Sequence, residues 1–212
     1  MSALESITDY PISDFVRLHS RPRATECLGT GHVKGTILAA HVQWVKENRS
    51  ADEYIRFWEQ LTRGARLSIG MVLPVKWYDF GHLMAIDHAI LNLFGGGSTS
   101  ILRDLGRHSA RVNLGGAYKA YIRPSIHDFF LSSARLHSQF QDFGVAAYAA
   151  RNDSSGIMTH SRYDSFSPLY CASATGFYQE AIVLHGGANV TVTEAMCQCR
   201  GDRTCSFVMR WS

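Results

Sequence analysis

The sequence predicts an α+β fold: a helical N-terminal layer followed by antiparallel β-hairpins around a helix. Three observations predict it. Apolar residues recur at helical spacing from Lys34 to about Phe143. Two later stretches alternate around turn residues, Asn152-Asp153 and Arg200-Gly201-Asp202. Between them, Ser167-Pro168 opens one more helix that stops at Gly186-Gly187.

Residues 1–32, interrupted by Pro11 and Pro22, show little periodicity and read as an arm; residues 33–212 read as a single domain. Ile37, Leu38, His41, Val42, Trp44 and Val45 line one face of the first helix. The run Ser50-Ala51-Asp52-Glu53 is a capping box, and Tyr54, Ile55, Trp58 and Leu61 form the apolar stripe that follows it. The segment Leu73–Phe80 is a loop leading into a helix over about 79–94, which stops at Gly95-Gly96-Gly97. Ile101, Leu102, Leu105 and Val112 mark another, broken near Gly115-Gly116. Ser125 and Asp128 begin a further helix running to about Phe143. The first hairpin spans about 145–164. The second pairs residues 189–199 with 204–211 across Arg200-Gly201-Asp202.

Composition narrows the class of function. With 46% hydrophobic and 18% charged residues, 212 residues can bury a real core without staples. A formal net charge of +3, spread along the chain, gives no footprint for nucleic acid or an anionic membrane. No apolar run reaches the ~18 residues that would span a bilayer, and the N-terminus lacks the pattern of a signal peptide. The expectation is a cytoplasmic protein whose five cysteines stay reduced.

Four residues suit a metal. Across the second hairpin Cys197 faces Cys205, with opposed Cβ atoms ~4.5–5.5 Å apart. Cys171 lies in the first turn of the helix opened by Pro168, where the N-terminus favours a thiolate. That helix climbs ~20 Å and the next strand returns ~23–26 Å, so Glu194 comes back beside Cys171. Glu194 and Cys197, an odd number apart, share a side only if a β-bulge intervenes near Ala195-Met196. The predicted shell is Cys171, Glu194, Cys197 and Cys205, closed and four-coordinate, hence a structural rather than a catalytic metal site. Cys199 in place of Glu194 is the alternative, and buried free thiols are the competing reading.

These same residues carry a resemblance. The C-terminal part resembles the 4-vinyl reductase-like domain, whose zinc signature places a cysteine, then Glu-x-x-Cys about two dozen residues later, then a last cysteine beyond a short turn. Cys171, Glu194, Cys197 and Cys205 match, with Gly201, Phe207 and Trp211 nearby. The whole chain is similar to a family of unknown function described mainly from myxobacteria, through Val33-Lys34-Gly35, the Leu73–Tyr78 segment and Leu105–His108. The resemblance implies a fold shared with 4-vinyl reductase-like, TRAPP-type and haem-NO-binding domains, a structural zinc, a homodimer and a buried pocket for a small hydrophobic effector. The chain ends at Ser212 without an output domain, so a sensor of this kind would signal through a partner protein.

No Ser-His-Asp set, paired acids or nucleophile elbow is readable, so catalysis is not expected. Residues 29–36 lack the Gly-Lys-Ser/Thr order of a phosphate loop. By analogy with the family, His127 or His137 would hydrogen-bond a ligand, among an aromatic run that includes Phe140, Tyr148 and Tyr178. The expected function is non-enzymatic sensing or regulation. A TRAPP-like interaction module and a tetrapyrrole carrier or enzyme are the alternatives.

Overall fold

The computed structural model describes residues 26–116 and 119–212. The predicted arm therefore lies outside the described residues up to position 25. Its last residues join the fold, with Cys27 and Phe166 exchanging two 2.8 Å backbone hydrogen bonds.

The helical layer comprises α1 (Gly35–Asn48), α2 (Ala51–Gln60), α3 (Arg63–Ile69), α4 (Phe80–Phe94), α5 (Ser100–Gly115) and α6 (Ile126–Arg135). The Ser50–Glu53 capping box forms with both of its bonds. The stripe it introduces differs from expectation at one position: Phe57 is fully buried, whereas Ile55 is exposed. Tyr54, Phe57, Trp58 and Leu61 stand at i, i+3, i+4 and i+7, and Ile55 is one step of about 100° round the helix from Tyr54. Phe57 thus joins Leu38, Val45, Phe80, Leu83, Ile86 and Leu102 in the helical core.

Two differences come from long-range pairing. Trp77–Asp79 forms a short strand, β2, antiparallel to β1 (His32–Lys34). The expected helix to Phe143 instead ends at Arg135. A 3-10 turn over His137–Gln139 then delivers Phe140 and Asp142 to β1, where Lys34 N donates to Phe140 O (2.8 Å) and Asp142 N to His32 O (3.1 Å). Backbone groups that would have prolonged α6 are satisfied by a strand remote in sequence.

The second layer is a four-stranded antiparallel sheet in the order β3-β4-β6-β5, built from β3 (Val145–Asn152), β4 (Ser155–Ser161), β5 (Thr191–Met196) and β6 (Cys205–Arg210). Both predicted hairpin pairings are present. Helix α7 (Pro168–Leu184) connects β4 to β5 and is capped by Ser167, whose Oγ accepts from Leu169 N at 3.1 Å. Under the sheet, Phe129, Phe130, Met158, Phe207 and Met209 pack with the buried cysteines.

Helix α7 lies between the layers and packs along α5. Two glycines allow the approach: a methyl at Gly106 would overlap the Ser173 carbonyl, and one at Gly176 would overlap that of Arg103. This crossing brings a side of α7 that carries Tyr170, Ser173, Ala174, Phe177 and Tyr178 against α1, α5 and α6.

Candidate functional site

The four predicted metal ligands converge. Cys171 from the first turn of α7, Glu194 from β5, Cys197 just beyond it and Cys205 at the start of β6 each offer a ligand atom, all within 4.8 Å of one another. The sulfurs of Cys171 and Cys205 are 3.6 Å apart, and those of Cys197 and Cys171 are 3.9 Å apart. Thiolates at the corners of a tetrahedron with ~2.3 Å metal bonds stand ~3.8 Å apart. All three cysteines are free thiols and buried.

The bulge that the sequence required is present. Register shifts by one between Glu194, opposite Phe207, and Met196, opposite Ser206. Beyond it, the expected three-residue hairpin loop is replaced by a 3-10 turn over Gln198–Arg200, closed by Gly201 at φ 91°. Gln198 N donates to Cys205 Sγ (3.3 Å) and Cys197 N to Asp202 Oδ2 (2.7 Å). The turn curls around the sulfurs rather than extending the ladder.

Electrostatics in this cluster are those of crowded, buried acids. Thiols of Cys171, Cys199 and Cys205 hold the Cys197 pKa far below the usual thiol range, while hydrogen bonding to Cys197 and Cys205 together with burial pushes Cys171 up. Burial also raises Glu194, against the pull of Arg200. Arg200 Nη1 donates to Glu194 Oε2 at 2.7 Å; Glu194 Oε1 is buried with no partner among the described residues. An oxygen fixed on one side and orphaned on the other is what a ligating carboxylate needs. Cys199, buried close by, is not one of the converging four, so the four-sulfur alternative is not the arrangement found. Arg200 was legible only as part of a turn, because its pairing with Glu194 follows from the 3-10 turn that replaces the expected hairpin loop.

The second feature is a cavity of about 180 Å³ between the layers. Of the predicted pocket residues, His137, Phe140 and Tyr178 line it. His127 and Tyr148 do not: His127 Nδ1 and Tyr148 Oη are bonded to each other at 2.7 Å, and the imidazole packs on Trp211 at 5.2 Å between centroids. Helix α6 directs His127 towards β3 and the C-terminus rather than towards α7. The aromatic run is thus divided between cavity wall and sheet core.

Polar groups that the sequence did not single out complete the cavity. His41 in α1 lines it, with Nδ1 2.6 Å from Oδ1 of Asp87 in α4, both residues being essentially inaccessible to solvent. Thr36 donates to Asn113 Oδ1, and Asn113 Nδ2 donates to Ser109 O at 2.9 Å. On the side nearer the cysteines, Tyr178 Oη is 2.6 Å from His160 Nε2, and burial depresses the His160 pKa to about 3. His160 stands opposite Cys205 in the sheet. One short chain of contacts therefore runs from cavity wall to cysteine cluster.

No protein-family model matches the chain, and neither does any curated protein. Solved structures do. The Fe(II) unliganded H-NOX protein from K. algicida superimposes with a TM-score of 0.64 at 10% identity, over 84% of this chain and 96% of that one. An H-NOX protein from S. oneidensis in the Fe(II)NO ligation state gives 0.63 at 12% identity, over 84% and 99%. A third structure, concerned with modulating haem redox potential through porphyrin distortion, gives 0.59 at 12%, over 84% and 99%. At these identities the likeness shows the fold. The haem-NO-binding part of the expected kinship holds at that level; the 4-vinyl reductase-like part rests on the sequence signature.

Proposed function

We propose that the chain is a non-enzymatic ligand-sensing or regulatory domain. It holds a small, largely apolar effector between its layers and a structural zinc beneath its sheet. The observation that supports this reading is that α7 serves both features, with Tyr170, Ser173 and Tyr178 on the cavity and Cys171 in the cluster. Zinc at Cys171, Glu194, Cys197 and Cys205 would tie α7 to β5 and β6 and add folding free energy directly. Arg200 would offset part of the negative charge of three thiolates and a carboxylate. Such a domain acts as a homodimer and passes its signal to a separate output protein.

The solved neighbours raise the question of haem. We read the cavity as arguing against it, on size and charge. A cavity of about 180 Å³ is close to the ~150 Å³ that holds a benzene, and a porphyrin is several times larger. No Lys or Arg among the described residues lines it to meet propionates. A tetrapyrrole reading keeps the fold likeness in its favour and has the cavity against it.

A second reading, an interaction module, is favoured by apolar side chains left in solvent in α3 and just after it. Leu67 is 77% exposed, and Met71 and Val75 are each 80% exposed. Native mass spectrometry of untagged protein tests the set together. One zinc per subunit in a dimer, with extra mass from a small ligand, is the expected result. A metal-free chain at bare mass would overturn the zinc reading. Bound haem, seen as a Soret band in the purified protein, would replace the effector reading.

A further inference from the structure

The face formed by α3 and the turn after it takes no part in the cavity or the cysteine cluster. Leu67, Met71 and Val75 are the three most exposed large apolar side chains among the described residues. They do not hang on slack backbone. Ala65 and Ile69 anchor α3 in the helical core. The buried Tyr78 hydroxyl accepts from Leu73 N at 2.9 Å, while Gly35 N donates to Lys76 O at 2.8 Å and Thr36 N to Pro74 O at 3.0 Å. The turn lies so close on the start of α1 that a methyl at Gly35 would overlap the Leu73 carbonyl. A backbone fastened at this many points holds its apolar side chains out in water, and such a patch marks an interaction site.

Charge narrows what the site meets. Residues 61–78 contain Arg63, Arg66 and Lys76 and no Asp or Glu, a local excess that the modest net charge of the whole chain conceals. Lys34, from β1, adds a fourth cation, its Nζ 4.0 Å from the Trp77 ring centroid. The arginine ion pairs among the described residues are made by Arg107, Arg111 and Arg200 instead. Asp79, the next acid along the chain, is turned to His32 at 3.1 Å. The face is therefore apolar and cationic at once. Self-association about a two-fold axis would set the same cations against one another. A nucleic acid offers phosphates but no apolar phase to receive Leu67 and Val75. Side chains that stand this clear of their neighbours are pegs, and a bilayer receives pegs without a matching pocket.

We propose that this face docks on an anionic lipid surface. Leu67, Met71 and Val75 enter the boundary between headgroups and acyl chains, and Trp77 lies at headgroup level, where amphipathic rings settle. Arg63, Arg66 and Lys76 meet the lipid phosphates, each adding about 5-fold to affinity at low salt. The contact is peripheral, since no helix among the described residues is long and apolar enough to cross a membrane.

The test sediments the whole purified protein with vesicles at low salt. Phosphatidylcholine alone should retain little of it, and equal parts phosphatidylcholine and phosphatidylglycerol should retain most. Leu67→Ser with Val75→Ser alters side chains already in water, so the melting temperature should hold while binding weakens about 10-fold or more. Arg63→Gln with Arg66→Gln should weaken it about 25-fold, and added salt should weaken the parent. Tryptophan fluorescence should shift to shorter wavelength on binding, and Trp77→Phe should lose that shift. Absence of sedimentation with the anionic vesicles overturns the proposal. Full binding by the Leu67→Ser, Val75→Ser protein also overturns it, leaving charge alone as the cause. Indifference to vesicles with retention on immobilised poly-glutamate would assign the face to an acidic protein. A parent dimer that this same double variant turns into a monomer would make the face an interface between copies. The zinc and effector readings stand or fall on native mass, so their failure is read separately.

Discussion

At the scale of single residues, the cysteine cluster depends on side chains that cannot be exchanged for their near neighbours. Replacing Cys197 or Cys205 by Ser removes a soft donor from the proposed zinc site and leaves a hydroxyl buried among sulfurs. Each variant should purify without stoichiometric zinc and should lose several degrees of melting temperature. Adding chelator to it should then change nothing further, whereas the parent protein should fall to meet it. Retention of one zinc per chain by both variants, measured by elemental analysis, would remove the site. His160 makes a separate prediction. Its folded pKa of about 3 lies below the ~6.5 of an exposed histidine, so the unfolded chain binds the proton and the folded chain does not. Stability from this group is complete above about pH 6.5 and declines as pH falls, by ~1.4 kcal/mol per unit. A His160→Gln variant, which keeps a group able to bond Tyr178, should show a flatter dependence between pH 5 and 7 in urea denaturation.

At the scale of elements, α7 is the piece on which both features hang. Its start is set by Ser167, buried and bonded to Leu169 N. Ser167→Ala should cost about 1–2 kcal/mol through the lost cap, read from the urea midpoint at unchanged slope. Its position is set by the glycine crossing with α5. Gly106→Ala drives a methyl into the backbone of α7, which cannot yield as a side-chain tip would. The cost should reach the upper end of the roughly 1–3 kcal/mol typical of overpacking, and the helix pair should separate enough to alter the cavity. Gly64→Ala, on an open helix surface, is the control and should be neutral or slightly stabilising.

At the scale of the whole molecule, the fold joins a helical layer to a sheet through one buried helix, and the cavity and the cluster lie on either side of that join. Withdrawing the proposed zinc should therefore do more than lower the melting temperature. With Cys171 released from Cys197 and Cys205, the first turn of α7 loses its tie to the sheet. Hydrogen exchange should rise over residues 168–178 and in the neighbouring turn at 198–204 before it rises in α4. Uniform loosening of the molecule would argue instead that the cluster contributes only general stability.

Much of this was legible from residue order alone. Ser50-Ala51-Asp52-Glu53, Ser167-Pro168 and the glycine runs fixed helix ends, because caps are local chemistry. The period-two segments fixed the hairpins. The odd spacing of Glu194 and Cys197 even required the bulge that is found between Glu194 and Met196. These features depend on neighbours a few residues away, which a sequence displays. Other features depend on groups that only folding brings together. The end of α6 at Arg135 is decided by hydrogen bonds to β1, about a hundred residues earlier in the chain. The His41–Asp87 pair spans 46 residues and the Arg200–Glu194 pair crosses a bulge. His127 and His137 looked alike in sequence, and α6 directs the first to the sheet while the turn after it places the second on the cavity. Sequence determined most of the elements and the four residues that converge in the cluster; tertiary structure decided which polar groups share a buried space, because burial and pairing are properties of the assembled layers and not of any one segment.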